Sequence, residues 1–300
     1  MVVHSDSTVV SLRVMSERNN LLIYVTEYII DAGNETAPGL TKLAVYKLLF
    51  LMYQRLKEQG VDMKLPYSWY LYGPMTEWNG YCRATGNSLE EYFIGNDAVN
   101  LLNFRSVLEI GEEVAGLVQR IFSDFIRKYA AGAAWDVNLM IRDAYADAPF
   151  EFQRVYTLEL KKLKLQRTSV PEIVAVLDRL FAVFPEEELE NIYTVYLRWD
   201  DTFRLALRAG VANEMRKELI KQFWNVFAAR VRCSENENVT DADREMFVRK
   251  LATAREQFVS WLREVREEIF FQLPESSLSP DDAGLLAELN AVAFDAVVRR

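Results

Sequence analysis

Histidine is almost missing from this sequence, which contains a single one, His4, among 300 residues. A Ser/His/Asp triad, a Cys/His pair and a histidine-built metal centre all depend on an imidazole that accepts a proton or binds a metal. One histidine near the start of the chain can hardly serve any of them. The composition therefore argues against enzymes of those classes.

Cysteine is nearly as scarce. Cys82 and Cys233 lie far apart, without a CxxC pattern or a neighbouring histidine, so neither a zinc site nor a disulfide framework is indicated. A GxxxxGK[ST] phosphate loop and a GxGxxG turn after a strand are also missing, which argues against nucleotide-dependent chemistry. We expect a protein without cofactors that works in a reducing cytoplasm.

Long apolar runs do not occur either. No stretch of about 18 uncharged apolar residues is found, and the N-terminal residues lack the basic start and continuous apolar core of a secretory signal. We therefore expect a chain that is neither secreted nor embedded in a membrane.

Glycine and proline number only 12 and 8, so turn signals are few, while 50% of the residues are hydrophobic and 12% are aromatic. Such a composition predicts a mainly α-helical protein with a substantial core. The net charge of −9 disfavours nucleic acid as a ligand and suits the masking of a basic protein partner.

The length of 300 residues indicates two domains, because compact domains usually run to about 100–200 residues. We place the boundary in the basic segment 161–168, which otherwise has the character of a solvated helix end. Residues 1–165 are predicted to form a helical domain with a short extended or β segment. Residues 166–300 are predicted to form a helical bundle with a long antiparallel hairpin.

Residues 40–78 hold the feature around which we expect the N-terminal domain to be built. Between positions 43 and 53 only Lys47 is neither apolar nor small, so this helix should be covered on most sides and lie at the centre. Thr41 can cap its start, and Gly60 can end it in a left-handed conformation. Residues 64–72 then read as an extended arm that ends in a change of direction, with Pro74 opening a turn or helix.

The remaining pattern predicts further helices separated by short polar loops. The first is expected from Ser16 or Asn19 to Ile30, followed by a loop over 31–38. Later ones are expected over 114–129 with Gly132 as its stop, 135–145, 150–165, from Pro185 onward, 213–232, from a capping box of Thr240 and Asp243 onward, and from Ser279 to the end. A polar loop is expected at 85–88.

The helix that begins at Thr240 has apolar residues at the spacing of a coiled-coil seam. These are Phe247, Leu251, Ala254, Phe258, Trp261, Val265 and Ile269. The seam predicts an antiparallel hairpin with the preceding helix. A rod of this length is too long to be wholly covered within one compact domain, so the C-terminal helices also offer a surface for oligomer formation.

Carboxylate pairs are the catalytic groups that remain. Asp136 with Asp143, or Asp200 with Asp201, would have to hold Mg²⁺ without help from histidine. Adjacent aspartates on a helix point to different faces, which weakens the second pair as a chelating site. A carboxylate-only Mg²⁺ enzyme stays open as an alternative, but we expect no enzymatic activity.

An aromatic cluster surrounds the extended arm and has two interpretations. Its members are Tyr67, Trp69, Tyr70, Tyr72, Trp78 and Tyr81. The rings could pack the arm against the central helix, with their polar ends reaching water or backbone. They could also form a protein-binding surface, because tyrosine and tryptophan dominate interface hot spots. Strand alternation means that neighbouring rings cannot all face the same helix.

These residues also resemble a known family. Lys42-Leu43 and Lys47-Leu48-Leu49-Phe50-Leu51, followed by Tyr70-Leu71-Tyr72-Gly73-Pro74-Met75, are similar to the opening of the Panacea family, also called the SocA-like antitoxin domain. Phe50 stands where the family usually has tyrosine, and Tyr70 stands where it usually has tryptophan. Residues 139–150 resemble a second family segment that ends in a proline and an aromatic; its usual histidine is absent, with Tyr145 nearby. The resemblance covers roughly residues 15–155.

The resemblance implies a mostly helical, non-catalytic domain that binds and neutralises a toxin encoded beside it, or presents that toxin to a protease. Combined with the aromatic cluster and the seam, it gives a set of candidate partner-binding residues: Tyr70, Tyr72, Pro74, Trp78, Phe258 and Trp261. A DNA-associated regulator of a phage-defence or mobile-element locus is the alternative. Its best recognition helix, residues 120–128, is mostly apolar, which disfavours it.

Overall fold

A computed structural model describes residues 6–272 apart from 79–92, 95–96, 99–109, 133, 164 and 166. The fold is mainly α, as predicted. The helices of this part of the chain are α1 (Asp6–Thr36), α2 (Lys42–Glu58), α3 (Glu112–Tyr129), α4 (Val137–Ala146), α5 (Glu151–Leu158), α6 (Val170–Ala182), α7 (Glu190–Arg208), α8 (Asn213–Ser234) and α9 (Asp241–Gln272).

The strands are short. They are β1 (Tyr67–Tyr70), β2 (Gly73–Thr76), β3 (Phe93–Ile94), β4 (Asp97–Ala98), β5 (Ala130–Ala131), β6 (Ala134–Trp135) and β7 (Asn236–Glu237). Strands β2, β1 and β7 form a three-stranded antiparallel sheet, and β3 with β4 and β5 with β6 form two-stranded ribbons.

The chain divides into two compact units that alternate along the sequence. Unit 1 comprises Met1–Pro149 and Ala228–Arg249, and unit 2 comprises Phe150–Phe227 and Lys250–Arg300. Helices α8 and α9 each contribute residues to both units, because the chain passes from one unit to the other inside each helix. The domain boundary that we placed after residue 165 stays a prediction, and so does the antiparallel hairpin of the C-terminal helices.

Helix α2 lies at the centre of unit 1, where α1, α3, α4 and β2 pack against it. Ten of its residues are buried. This agrees with the central position that we predicted from the apolar run between positions 43 and 53. Both predicted ends are confirmed. The Thr41 hydroxyl accepts a hydrogen bond from the backbone N–H of Ala44 at 3.2 Å, and Gly60 has a φ of +76°.

The extended arm is a β-hairpin. β1 pairs with β2 through a register that joins Tyr70 to Gly73, so the chain reverses at residues 71–72. The prediction that Pro74 opens a turn or helix is wrong, because Pro74 lies inside β2. β2 is an edge strand, where the missing N–H of proline leaves no partner unsatisfied.

The first helix is longer than the sequence pattern predicted. It begins at Asp6 and continues through the expected loop 31–38 as far as Thr36. Gly33 lies inside this helix and close to a neighbouring side chain, since a Cβ there would lie 2.8 Å from the Leu40 side chain. The stop is set by Pro38, which disfavours helical geometry in the residue before it.

Unit 2 has an aromatic core formed by α5, α6, α7 and the adjoining parts of α8 and α9. Trp199 stacks on Phe223 with ring centroids 4.7 Å apart, and Phe184 stacks on Tyr196 at 4.3 Å. The polar ends of buried rings reach backbone carbonyls: the Trp199 indole N–H donates to the Leu219 oxygen at 2.9 Å. This core accounts for much of the aromatic content of the sequence.

Two predicted helices of unit 2 have different bounds. The helix expected over 150–165 ends at Leu158 and is followed by a short 3-10 turn, Leu160–Lys162, in which Leu160 is fully buried. The helix expected from Pro185 begins at Glu190, because the buried Leu189 has a non-helical backbone with φ −120° and ψ 29°. In both places a fully buried leucine lies next to the point where the helical backbone ends or begins.

Smaller differences concern single residues. Helix α3 ends at Tyr129, and Gly132 lies in the turn of the β5–β6 ribbon.

Lys161 is not the fully solvated helix end that we expected. Its ammonium group lies 4.1 Å from the ring centroid of Trp224, and burial lowers its pKa to about 7. The expected loop at 85–88, Tyr81, Cys82, His4 and the helix from Ser279 lie outside the described residues.

Candidate functional site

Lys47, the polar residue in the middle of the central helix, ties α2 to the hairpin of unit 1. Its side chain is 1% exposed, and its Nζ donates a hydrogen bond to the carbonyl oxygen of Pro74 at 2.8 Å. Burial lowers the pKa of this ammonium group to about 7, since a low-dielectric surrounding disfavours the charged form. Two motifs that are far apart in sequence therefore meet at one hydrogen bond.

Gly73 occupies a position that glycine alone fits without strain. Its φ is +90°, and a Cβ there would lie 3.0 Å from the ring of Tyr145 and 3.4 Å from Nζ of Lys47. A side chain would meet both the unfavourable backbone conformation and these two neighbours. The Tyr-Gly-Pro sequence thus has a structural explanation.

Aromatic rings complete this cluster. Phe50 packs edge-on against Tyr67 and Trp69 at centroid distances of 5.1 and 5.7 Å, and Trp69 packs against Tyr145 at 5.6 Å. Of the residues that carry the family resemblance, Lys47, Phe50, Gly73, Pro74 and Tyr145 therefore belong to one packed group inside unit 1. Their visible role is to hold the hairpin on α2.

A buried ion pair lies on the other side of the same sheet region. The Arg232 guanidinium donates to both carboxylate oxygens of Glu77 at 2.7 Å, and their side chains are 6% and 7% exposed. Ser68 also donates to Glu77. The guanidinium lies 4.5 Å from the ring of Tyr70 and 4.2 Å from that of Phe247. A pair with this many partners fixes how residues 228–249 join unit 1.

Four of the predicted partner-binding residues lie in unit 1. Tyr72 is 63% exposed at the tip of the hairpin, whereas Trp78 is 4% exposed and Pro74 is buried. Tyr70 is half-buried beside Arg232. Of these four, Tyr72 presents most of its side chain to solvent, so it is the one that a partner could contact with unit 1 unchanged.

The other two predicted residues lie on α9 in unit 2. Phe258 is 4% exposed, with its ring 6.1 Å from Phe223. Trp261 is half-buried, with its ring 5.8 Å from Phe258. Phe258 is therefore part of the core, while Trp261 keeps some accessible surface.

A groove of about 930 Å³ lies between α7 and α9 of unit 2. Its lining combines apolar side chains with four arginines and two carboxylates. The lining residues are Val195, Arg198, Asp201, Thr202, Ala252, Arg255, Glu256, Val259, Ser260, Leu262, Arg263 and Arg266. The groove lining therefore has two more positive than negative side chains, whereas the whole chain has a net charge of −9.

Two of the arginines join the walls of the groove. Arg266 of α9 pairs with Asp201 of α7, and Arg255 donates to the backbone oxygen of Asn191 at 3.3 Å. The two contacts advance in the same direction along both helices, so α7 and α9 run parallel here. They leave the middle of the groove open between them.

Arg198 and Arg263 lie between these two contacts along α7 and α9. Both are exposed, and within the described ranges their guanidinium groups make no hydrogen bond or ion pair. An unpaired guanidinium presents five N–H donors in a planar fork that matches a carboxylate or a phosphate. The middle of the groove is therefore equipped to bind an anionic group above an apolar floor.

The carboxylates that we considered as Mg²⁺ ligands have other partners. Asp136 caps α4 by accepting from the N–H of Leu139 at 3.0 Å, and Asp143 pairs with Lys128 at 2.8 Å. Asp200 pairs with Arg204 at 2.8 Å. Across residues 6–272, with the gaps given above, no three His, Cys, Asp or Glu side chains are grouped so that they could hold a metal ion.

Sequence reasoning missed the groove, although a signal was present. Arg255, Arg263 and Arg266 are spaced eight and three residues apart, which places them on one face of a helix. The contribution of Arg198 could not be found in this way, because only the tertiary structure brings α7 beside α9.

No helix in the part of the chain that the structure describes is both long enough and apolar enough to cross a membrane. Comparison of the chain with known protein families, with curated proteins and with solved structures finds no match.

Proposed function

We propose that this protein is a non-catalytic protein-binding module of the antitoxin type, which captures a partner through the arginine-lined groove of unit 2. The observation that carries the proposal is the pair of exposed guanidinium groups of Arg198 and Arg263, which face an apolar-floored groove without a partner among the described residues. Arginine above an apolar surface is the composition typical of interface hot spots.

The arrangement of unit 1 supports this division of roles. Its Lys47, Gly73 and Trp69 are engaged in packing the hairpin on α2. Because those side chains pack inside unit 1, a partner could not contact them without a change in the fold. We therefore propose that the partner binds to exposed surfaces. The groove and the exposed ring of Tyr72 are such surfaces.

The biological role rests on the resemblance to the Panacea family. An antitoxin of this kind acts in the cytoplasm, binds the product of a neighbouring gene and blocks it, or presents it to a protease. Neither route requires the chain to turn over a substrate. The net charge of the whole chain suits a basic partner, but the local excess of positive charge in the groove calls for an acidic, partly apolar segment on that partner, since opposite charge steers and aligns the two surfaces.

A co-expression assay with the product of the adjacent open reading frame tests the proposal. We expect that product to stop growth when expressed alone and to be tolerated with this protein. The variant Arg198→Glu with Arg263→Glu should lose protection, because each change replaces attraction by repulsion in the groove.

The matched control is Lys217→Glu with Lys221→Glu, which changes the charge of unit 2 by the same amount. These lysines lie on the exposed surface of α8 and pair with Glu214 and Glu218. Protection should survive in the control. Equal protection by the groove variant, at equal expression and with an unchanged circular dichroism spectrum, would refute the groove as the binding site.

A DNA-associated regulator is the second candidate, and the same arginines favour it because guanidinium groups also bind phosphates. The acidic residues Asp201 and Glu256 in the groove and the overall net charge of −9 oppose it. Binding of labelled duplex DNA should be absent at 50 mM salt. Tight binding that weakens steeply by 200 mM salt would favour this candidate over the first.

A further inference from the structure

Arg198 and Arg263 lie at the same level on opposite walls of the groove. Arg198 is three residues before Asp201, and Arg263 is three residues before Arg266. Because Asp201 pairs with Arg266 and the two helices run parallel, both arginines lie about 4.5 Å before that ion pair along their helix axes. The groove therefore has two guanidinium groups that flank one gap.

Two positive groups beside one gap favour an anion between them. The two guanidinium groups repel each other, and neither has a hydrogen-bond or ion-pair partner in the ranges that the structure describes. A carboxylate placed between them would accept charge-assisted hydrogen bonds from both sides. The middle of the groove is therefore complementary to an acidic side chain of a partner.

A negative side chain lies further along the wall formed by α9. Glu256 is exposed, lines the groove and precedes Arg263 by seven residues, which is about 10 Å along the helix. Within the described part of the chain it makes no ion pair. A polyanion would be repelled at this level, whereas a protein segment with one acidic and one basic side chain matches both levels.

The lining includes residues at the spacing with which helices pack against each other. These are Val195, Arg198 and Thr202 on α7, and Ala252, Val259, Arg263 and Arg266 on α9. Two parallel helices with such faces can receive a third helix between them. The stretch from Ala252 to Arg266 measures about 21 Å, which corresponds to about four turns of a bound helix.

The floor between the positive and the negative level suits close approach of a helix. Val259 and Ser260 lie between Glu256 and Arg263 in sequence. Val259 is half-buried, and Ser260 is small and exposed. Apolar side chains of a partner can therefore be buried between its two charged residues.

We infer that the groove binds an amphipathic helix of about four turns, whose apolar stripe contains one carboxylate for Arg198 and Arg263 and, two turns away, one basic side chain for Glu256. This inference rests on the proposed function of the groove as a protein-binding site, and it specifies which segment of a partner is captured. A charged residue within an apolar stripe also fixes the register in which the helix lies along the groove.

Selection from a displayed peptide library tests the inference. The probe is a phage library of helical peptides of about five turns, with each inward position varied among leucine, glutamate, glutamine and lysine. The folded full chain is the immobilised target. We expect enriched peptides to carry one inward glutamate, a lysine two turns away and leucine between them. Replacing that glutamate by glutamine should weaken binding about 10-fold or more, because two charge-assisted hydrogen bonds are lost.

Charge reversal on the walls of the groove gives the matched comparison. Arg198→Glu with Arg263→Glu should select lysine in place of the inward glutamate. Glu256→Lys should change the second preference from lysine to glutamate and leave the first unchanged. Lys217→Glu with Lys221→Glu should select the same peptides as the unmodified protein.

Three results would overturn the inference. One is that no peptide is enriched, and another is that the enriched peptides bind Arg198→Glu with Arg263→Glu as tightly as the unmodified protein. The third is a dimer of the protein alone that is lost in this variant, which would mean that the groove binds a second copy.

The selection and the co-expression assay separate this inference from the proposed function. If protection depends on Arg198 and Arg263 but the enriched peptides lack the inward glutamate, only the helix inference fails. If the expected helices are enriched but protection is the same without these arginines, the proposed function fails instead.

Discussion

Unit 1 and unit 2 each contain arginines of interest, but in different surroundings. In unit 1, Lys47 is 1% exposed, and Arg232 and Glu77 form an ion pair with side chains 6% and 7% exposed. Unit 2 fills its core with stacked rings and leaves Arg198 and Arg263 on the surface of the groove. The same residue type, arginine, therefore has a structural role in one unit and a proposed binding role in the other.

The difference follows from the surroundings of each group. A buried ion must keep its partner, because separation would leave an uncompensated charge in a medium of low dielectric. An exposed guanidinium stays hydrated and can exchange partners at little free-energy cost. Buried charges thus specify how the segments of unit 1 join, while exposed ones remain available to a second molecule.

Removal of Glu77 should have the largest effect on stability. Glu77→Ala leaves the Arg232 guanidinium buried without its carboxylate, and we expect a loss of about 3–5 kcal/mol in the free energy of opening of unit 1. Glu237→Ala breaks an ion pair with Lys57 whose side chains are 36% and 53% exposed, and it should cost less than about 1 kcal/mol. Hydrogen exchange of the α2 amides measures both values.

The double variant Glu77→Leu with Arg232→Met sharpens this comparison. Replacing both ions removes the unpaired charge, so stability should recover most of what Glu77→Ala loses. If Glu77→Ala cost no more than Glu237→Ala, the ion pair would not be what joins residues 228–249 to unit 1.

Lys47 should make unit 1 more stable as the pH rises. The folded pKa of about 7 lies below the ordinary value of 10.5, so between these values the unfolded chain binds a proton that the folded chain does not, and raising the pH favours folding. The gain between pH 7 and 9 should be on the order of 2 kcal/mol. Lys47→Met should abolish it, as measured by hydrogen exchange of α2 at both pH values after correction for intrinsic rates. An equal pH dependence in both proteins would contradict this assignment.

A side chain at position 73 should disturb the hairpin by a smaller amount. Gly73→Ala forces an unfavourable φ and a contact with Tyr145, and we expect a loss of about 1–3 kcal/mol. Gly60→Ala is the matched control, since its φ is +76° but nothing lies within 4 Å of its Cβ position. Urea unfolding followed by circular dichroism should give the larger loss for Gly73→Ala. A loss no larger than that of the control would mean that the ring of Tyr145 moves aside freely.

The groove variant should have the smallest effect on the fold. Arg198→Glu with Arg263→Glu changes exposed side chains without partners among the described residues, so the urea midpoint should stay the same as in the unmodified protein. A marked fall of the midpoint would mean that these arginines stabilise unit 2, and any loss of partner capture would then need another explanation.

Short-range features were predictable from the sequence. The Thr41 cap, the left-handed Gly60 and the box of Thr240 and Asp243, whose carboxylate accepts from the Thr240 hydroxyl at 2.7 Å, all appear as expected. The central position of α2 followed from its apolar composition. Errors arose at helix ends that local signals did not mark, as at the start of α7, where the buried Leu189 has a non-helical backbone.

By itself the sequence determined the mainly α character, the helix caps and the scarcity of histidine and cysteine, because each depends on composition or on residues within one helical turn. Only the tertiary structure decided that β7 joins β1, that Arg232 meets Glu77 across 155 positions, and that α7 and α9 together form the groove. These contacts join residues that no local preference relates. They are selected by the burial of apolar surface and the pairing of buried charge when the whole chain folds.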